Sequence, residues 1–209
     1  DHIMVIVAHP DDAEFMSAGS VAAWIKEGRQ VTYVLVTSGD KGTEDPTIIP
    51  SELAARREIE QRTVCDILGV GDIEFLRRED GTVTSDLVLR KDIVRAIRKH
   101  KPSAVITQDP TRRWMGNYIN HPDHRNIGLL VRDAAFMVRV PFFVPDTPPI
   151  KHRPVFFYFP DGFTRPYPFD PDKARALLAE AGYADGFDTE AMVLPGAFPA
   201  DSEIYQIAA

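Results

Sequence analysis

The sequence predicts an α/β fold, a mostly parallel sheet with helices on both of its faces. Two features carry that prediction. Short β-branched runs alternate along the chain with longer stretches of helical periodicity, which is the pattern of βαβ units. Histidine- and aspartate-rich turns fall where those runs end, and in parallel sheets the chemistry collects outside the carboxyl ends of the strands. With 209 residues, 44% of them hydrophobic, the chain is long enough for one sizeable core.

IMVIVA (Ile3 to Ala8) reads as a buried strand, followed by a helix from Ser17 to Glu27. QVTYVLVT (Gln30 to Thr37) is a second strand and leads through a loop to a helix from Ser51 to Leu68. IEFL (Ile73 to Leu76) precedes a helix from Asp86 to Lys99, in which Leu89, Ile93 and Ile97 recur every fourth residue. SAVITQ (Ser103 to Gln108) precedes a helix from Pro122 to Met137. After Pro141 the chain becomes rich in proline and aromatic residues, with one clear strand, PVFFYF (Pro154 to Phe159). That stretch reads either as the rim or lid of a pocket or as an irregular wrap over the sheet edge.

The bulk properties exclude several classes. A net charge of −7, with no cluster of Lys and Arg interleaved with aromatics, argues against a nucleic-acid partner. The single cysteine, Cys65, rules out an internal disulfide and reads as a small buried apolar residue. No apolar run approaches the ~20 residues of a membrane span, so no membrane partner is expected. No signal-peptide pattern opens the chain, and the expected compartment is the cytoplasm. The numbering starts at Asp1 rather than Met, which leaves a trimmed leader open. A homo-oligomer is compatible with all of this.

AHPDDAEF (Ala8 to Phe15) follows the first strand, and a second His-Pro-Asp occurs in NHPDH (Asn120 to His124). In both copies proline is expected at the first helical position. Either copy alone reads as a capped turn. Together they offer His9, Asp12 and His124, two imidazoles and a carboxylate with a coordination position left open, the make-up of a hydrolytic zinc site. Asp11 is not needed as a ligand and is placed to act as general base, while a protonated His121 would stabilise an oxyanion or hand on a proton. The same ligands suit iron in an oxygenase, a reading the strand–helix alternation disfavours.

Other elements carry weaker signals. Positions 53, 57, 60, 64, 67 and 68 share one helix face, which places Arg57 and Glu60 on an apolar stripe, either as an internal ion pair or with Arg57 reaching a polar substrate. Asp80 with Gly81 reads as a turn first and a ligand contact second. Asp109 follows a strand and is a candidate to orient a metal-bound histidine or the substrate. SGDKGTEDP fits neither nucleotide-binding glycine pattern, and no serine-hydrolase elbow exists.

AHPDD, LVTSGDKGT, Arg57 and Glu60 before LGV, and NHPDH together resemble the LmbE/PIG-L family of zinc-dependent de-N-acetylases, from the N-terminus to Phe169. The resemblance implies a Rossmann-like fold, an N-acetylated amino-sugar substrate of N-acetylglucosaminyl type, and zinc, with Fe2+ as an alternative. It implies zinc ligands at His9, Asp12 and His124, the base at Asp11, the oxyanion histidine at His121, and sugar contacts at Arg57 and Asp80. The family's tyrosine two residues before the first histidine of HPDH falls on Ile119 here, with Tyr118 one step earlier. Residues 170–209 depart from the family. FDPDKARALLAEAGYADGF resembles a segment of family-5 solute-binding proteins of ABC transporters, with a helix from Asp170 to Ala181 stopped by Gly182. The expected organisation is therefore a deacetylase domain, 1–169, and an atypical tail, 170–209. Two alternatives stand beside deacetylation: cleavage of a larger, thiol-conjugate amide at the same centre, or non-catalytic binding of a sugar or peptide.

Overall fold

The computed structural model describes residues 1–115, 118–159 and 171–180. In chain order the elements are β1 (His2–Val7), α1 (Asp12–Lys26), β2 (Gln30–Thr37), α2 (Pro50–Leu68), β3 (Asp72–Arg78), α3 (Leu87–His100) and β4 (Ala104–Thr107). A short hairpin, β5 (Trp114–Met115) with β6 (Tyr118–Ile119), then precedes α4 (Pro122–Met137), a 3-10 turn at Pro141–Phe143, and β7 (Val155–Tyr158). The chain divides into two compact units, 1–164 and 165–209. In the second unit α5 (Pro171–Glu180) is helical, and the expected stop at Gly182 lies outside the described residues.

Five strands form one parallel sheet in the order β3-β2-β1-β4-β7. The period-2 alternation of a strand explains the two cores. Met4, Ile6 and Ala8 of β1 pack with Leu89, Ile93 and Ile97 of α3 and Ile127, Leu130 and Val131 of α4. Ile3, Val5 and Val7 pack on the other face with Ala13 and Val21 of α1 and Cys65 of α2. Because both faces are covered, β1 is a continuous apolar run rather than an alternating one. The direction of winding reverses between β1 and β4, and the carboxyl ends of these two strands flank the crevice where such sheets hold their chemistry.

Two boundaries differ from the sequence expectation. α1 starts at Asp12, five residues before Ser17, because Asp11 adopts φ +90° and turns the chain straight into the helix. Pro10 therefore lies outside α1, whereas Pro122 does open α4. The loop 141–154 wraps over the end of the sheet away from that crevice. Val144 and Ile150 enter the core, and the Val155 N–H donates to the Ser103 carbonyl at the start of β4. Arg98 holds the wrap in place. Its guanidinium is buried and donates to the carbonyls of Met137, Val138, Val140, Val144 and Thr147 at 2.6–3.2 Å. Five N–H donors meeting five carbonyls is the full capacity of that side chain.

Candidate active site

The turn after β1 is fixed by β2: the Ala8 carbonyl accepts from both the N–H and the hydroxyl of Thr37. His9 then projects beyond the sheet edge, and its own N–H donates to Asp12 Oδ2 at 2.8 Å. From the other side of the crevice, α4 brings His124 back toward the same point. His9 Nδ1 lies 3.4 Å from Asp12 Oδ2, His124 Nε2 lies 3.1 Å from Asp12 Oδ1, and the two nitrogens are 3.3 Å apart.

Those spacings test whether the residues fit a metal ion. A tetrahedral ion with bonds of about 2.0–2.1 Å separates its ligand atoms by about 3.3–3.4 Å; the two imidazole nitrogens are 3.3 Å apart, and one carboxylate oxygen of Asp12 faces each of them. The outward nitrogens agree. Asn120 Nδ2 donates to the Arg112 carbonyl, so its Oδ1 faces His124 and must accept from His124 Nδ1–H at 3.0 Å, leaving the Nε2 lone pair directed inward. His9 Nε2 faces Asp80 at 3.0 Å and Asp123 at 3.4 Å, which places its proton there and frees Nδ1. Metal-bound histidines are typically oriented by such partners. His9, His121 and His124 also offer nitrogens within 4.8 Å of one another, but His121 Nδ1 already accepts from the Asp123 N–H at 3.3 Å. His9, Asp80 and Asp123 offer a second such set, so the cluster of histidines and aspartates around His9 includes groups that could hold a metal ion.

The electrostatics point the same way. Burial alone would lower the pKa of His9, yet hydrogen bonds to Asp12, Asp123 and Asp80 outweigh it and raise the value to about 11. Burial would raise Asp12, and its bonds to His124 and His9 instead hold it well below the usual carboxylate range. Buried carboxylates are tolerated only with a compensating charge, and a proton on His9 supplies it in the absence of a cation. Gln108 at the end of β4 donates to Asp12 Oδ2 at 2.9 Å. Asp123 accepts from the backbone N–H groups of Gly81 and Val83.

Asp11 stands beside the donor group. Its φ of +90° is sparsely populated for a residue with a Cβ, and such strain concentrates at working sites. Three bonds impose it. Asp11 N–H donates to Gln61 Oε1 at 3.0 Å, and Arg57 Nη2 donates at 2.7 Å to both the Pro10 carbonyl and Asp11 Oδ2. Burial pushes the Asp11 carboxyl upward and the Arg57 charge only partly offsets this. Arg57 fills the space above the glycines of SGDKG: a Cβ at Gly39 would come within 2.9 Å of Arg57 Nε. That loop houses a guanidinium.

The eight residues expected at the site divide clearly. His9, Asp11, Asp12, Asp80, His121, His124 and Arg57 converge. Asp80 lies under His9. Asp109 does not join them, because its Oδ1 accepts from the N–H and hydroxyl of Thr111 in a local turn. Glu60 is exposed and does not pair with Arg57. The buried polar position on that face of α2 is Gln61. Gln61, Gln108, Asn120 and Asp123 went unnoticed in the sequence, although Asp123 stands within the second His-Pro-Asp.

The family described as "PIG-L: GlcNAc-PI de-N-acetylase" matches residues 4–135. The chain belongs to this family. Within the PIG-L family it is 36% identical over 141 residues to diacetylchitobiose deacetylase of Thermococcus kodakarensis, covering 68% of this chain and 51% of that protein. It is 29% identical over 161 residues to a probable N-acetyl-alpha-D-glucosaminyl L-malate deacetylase 2 of Bacillus anthracis, covering 75% of this chain and 64% of that one. The chain thus spans about half to two thirds of the length of these curated relatives. Among solved structures, N,N'-diacetylchitobiose deacetylase from Pyrococcus horikoshii superposes with TM-score 0.71 at 29% identity, covering 86% of this chain and 67% of that one. A 4-carboxy-2-hydroxymuconate hydratase from Pseudomonas putida KT2440 superposes with TM-score 0.64 at 18% identity over 74% of this chain and 64% of that one, which shows the shared fold alone. The PIG-L match ends at residue 135, so it lends no support to the likeness of residues 170–209 to solute-binding proteins. No helix among the described residues is long and apolar enough to cross a membrane.

Proposed function

We propose that this chain is a zinc-dependent hydrolase that removes the acetyl group from an N-acetylglucosaminyl compound. The observation that carries the reading is the convergence of His9 Nδ1 and His124 Nε2, 3.3 Å apart, on the two carboxylate oxygens of Asp12, with a strained and partly desolvated Asp11 beside them. Similarity to deacetylases of diacetylchitobiose and of an N-acetylglucosaminyl malate supports the substrate class. Two imidazoles and a carboxylate suit zinc, and also Fe2+. Zinc, when bound there, supplies a Lewis acid for the amide carbonyl and brings the pKa of water down toward ~7.

The chain's own residues do the rest. Arg57 occupies Asp11 Oδ2, which leaves Oδ1 to take the proton of the attacking water. Burial raises Asp11 toward the working range of a base. His121 acts differently from the sequence expectation. Burial and the charge of His9 lower its pKa, and its Nδ1 accepts a backbone N–H, so it works as a neutral imidazole. Its Nε2–H then donates to the carbonyl oxygen as negative charge develops there. Asp11 returns its proton to the departing amine. Asp80 and Asp123 hold His9, Asn120 holds His124, and Gln108 holds Asp12.

The test is primary-amine release from a panel of N-acetylglucosaminides by zinc-loaded protein, beside Asp11→Asn. Release by the wild type with a fall of about 100-fold or more in kcat for a folded, metal-loaded Asp11→Asn is expected. Equal turnover by the two proteins would remove Asp11 as the base. No release at all would turn the assignment toward a larger amide or a binding protein.

A further inference from the structure

The SGDKG stretch after β2, which fits no phosphate-binding pattern, touches the surroundings of the donor group at two places. The first is Arg57: a Cβ on Gly39 or Gly42 would collide with this side chain, which reaches Asp11. The second is Asp80. Asp40 Oδ1 accepts the Asp80 N–H at 2.9 Å, and in return the Lys41 N–H donates to the Asp80 carboxylate. The loop therefore grips Asp80 by its backbone and by its side chain. Burial would raise the Asp80 carboxyl, and its bonds to His9 and to that N–H instead hold it below the usual carboxylate range. Asp80 Oδ1 lies 3.0 Å from His9 Nε2, the outward nitrogen of the ligand histidine.

The end of β3 is bent to meet this grip. Leu35 pairs with Phe75 but Thr37 pairs with Arg78, so β3 carries one extra residue there, a bulge. Bulges beside active sites re-aim the side chains that follow. Within this one Arg77 adopts φ +51°, a conformation disfavoured for a residue with a Cβ. Glu58 of α2 imposes it, accepting from Arg77 Nε at 2.8 Å and Nη2 at 3.0 Å while also accepting the Ser38 hydroxyl at 2.7 Å. One half-buried carboxylate thus ties the start of the loop to the bulge that leads into Asp80.

We propose that Asp40 is a positioning residue for the metal ligand His9, acting through Asp80. The SGDKG loop is then a bracket that sets the metal ligand through Asp40 and the base through Arg57. The bond to its backbone fixes where the Asp80 carboxylate stands, and that carboxylate fixes which His9 nitrogen is turned inward. The inference rests on the metal centre of the deacetylase reading.

The test is the affinity of the full chain for zinc alone, by competition with a chelator, for Asp40→Ala and Asp40→Asn in the wild-type and Asp80→Ala backgrounds. Asp40→Ala is expected to bind zinc about tenfold more weakly. Asp40→Asn keeps an acceptor in the same place and is expected to stay within about threefold of wild type. With Asp80→Ala the effect of Asp40→Ala is expected to shrink to about twofold or less, because the carboxylate it positions is gone. Should Asp40→Ala melt below the assay temperature, Asp40→Gln, which carries its acceptor one methylene too far, takes its place in the cycle.

Wild-type affinity in Asp40→Ala overturns the inference. So does a loss that persists undiminished with Asp80→Ala, since a loop that merely holds the fold together acts in both backgrounds. A loss in Asp40→Asn equal to that in Asp40→Ala overturns it too, because charge rather than the bond to Asp80 would be at work. Amine release measured in parallel separates the two readings. Release with zinc affinity indifferent to Asp40 overturns the positioning role and leaves the deacetylase. Asp40-dependent zinc binding without release leaves the positioning role and overturns the deacetylase. A wild type that binds no zinc overturns the metal centre and the inference together.

Discussion

Replacing Gln61 by Met separates what holds Asp11 in place from what holds the protein together. Gln61 is 2% exposed, and its amide works in both directions. Oε1 accepts the Asp11 N–H at 3.0 Å, and Nε2 donates to Glu14 Oε1 at 2.9 Å. Met fills similar volume and makes neither bond. The orphaned Asp11 N–H costs about 1–3 kcal/mol, and the lost bond to Glu14, whose other carboxylate oxygen is already buried without a partner, costs about 1.5–3 kcal/mol. Burying the methyl-thioether end returns about 1–2 kcal/mol. The net loss is about 3 kcal/mol, or roughly 6–12 °C in Tm for a unit of this size. The catalytic effect is separate. A residue at φ +90° stays there only while its surroundings insist on it, and a displacement of about 1 Å at a reacting group costs about 100-fold. The expected phenotype is a kcat about 100-fold lower with KM little changed, measured by amine release under conditions where melting shows the protein folded. Adding Glu14→Gln removes the buried charge and restores part of the Tm but none of the kcat. A folded, metal-loaded Gln61→Met with kcat within threefold of wild type would refute the argument.

Three further outcomes follow from the same geometry. Metal binding must displace the proton that the carboxylates hold on His9, whose pKa is raised to about 11. Calorimetry at pH 7 in buffers of different ionisation enthalpy should therefore show about one proton released per zinc, with affinity rising about tenfold per pH unit, and no release would contradict the assignment. In the metal-free protein the same group contributes stability fully below pH ~6.5 that is lost as pH rises toward 11. Gly128→Ala would drive a Cβ into the Gln108 carbonyl and Pro110, displacing the side chain that holds Asp12. The expected cost is about 1–3 kcal/mol in stability together with about tenfold weaker zinc binding, read by competition with a chelator. Arg98→Met strands several carbonyls around the 137–147 wrap and should lower Tm by about 10 °C, while kcat at a temperature well below the transition stays at the wild-type value.

The difference between what the sequence revealed and what it withheld follows from the range of the interactions involved. Strands and helices are written in local periodicity, and the order of motifs along a parallel sheet already brings HPDD and NHPDH to one edge. Gln108 and Gln61 act across separations that no window contains: Gln108 meets Asp12 from 96 residues away, and Gln61 meets Asp11 from 50. Asn120, by contrast, stands only four residues before the His124 that it orients. The error at Glu60 has a physical cause of its own. In a polar helix such as α2, Glu60 and Gln61 look alike to a hydropathy pattern, yet one step along a helix turns the face by about 100°. The stripe assigned to Arg57, Glu60 and Ile67 is in fact the one through Leu53, Arg57, Gln61 and Cys65.

That rotation changes the meaning of Arg57. Paired with Glu60 it would have been a structural charge. Set beside Gln61, it shares with that amide the task of holding Asp11 at +90°, and it does so while occupying Asp11 Oδ2, which leaves Oδ1 open for the proposed proton transfer. A single guanidinium thus fixes the backbone, selects which carboxylate oxygen is free, and limits how far burial can raise the carboxyl. Arg57→Lys keeps the last of these and loses the planar fork that delivers the first two. It should therefore leave the pH at which kcat/KM falls nearly where it is and lower the plateau about 10- to 100-fold. A shift of the profile with an unchanged plateau would mean that charge alone is what Asp11 requires.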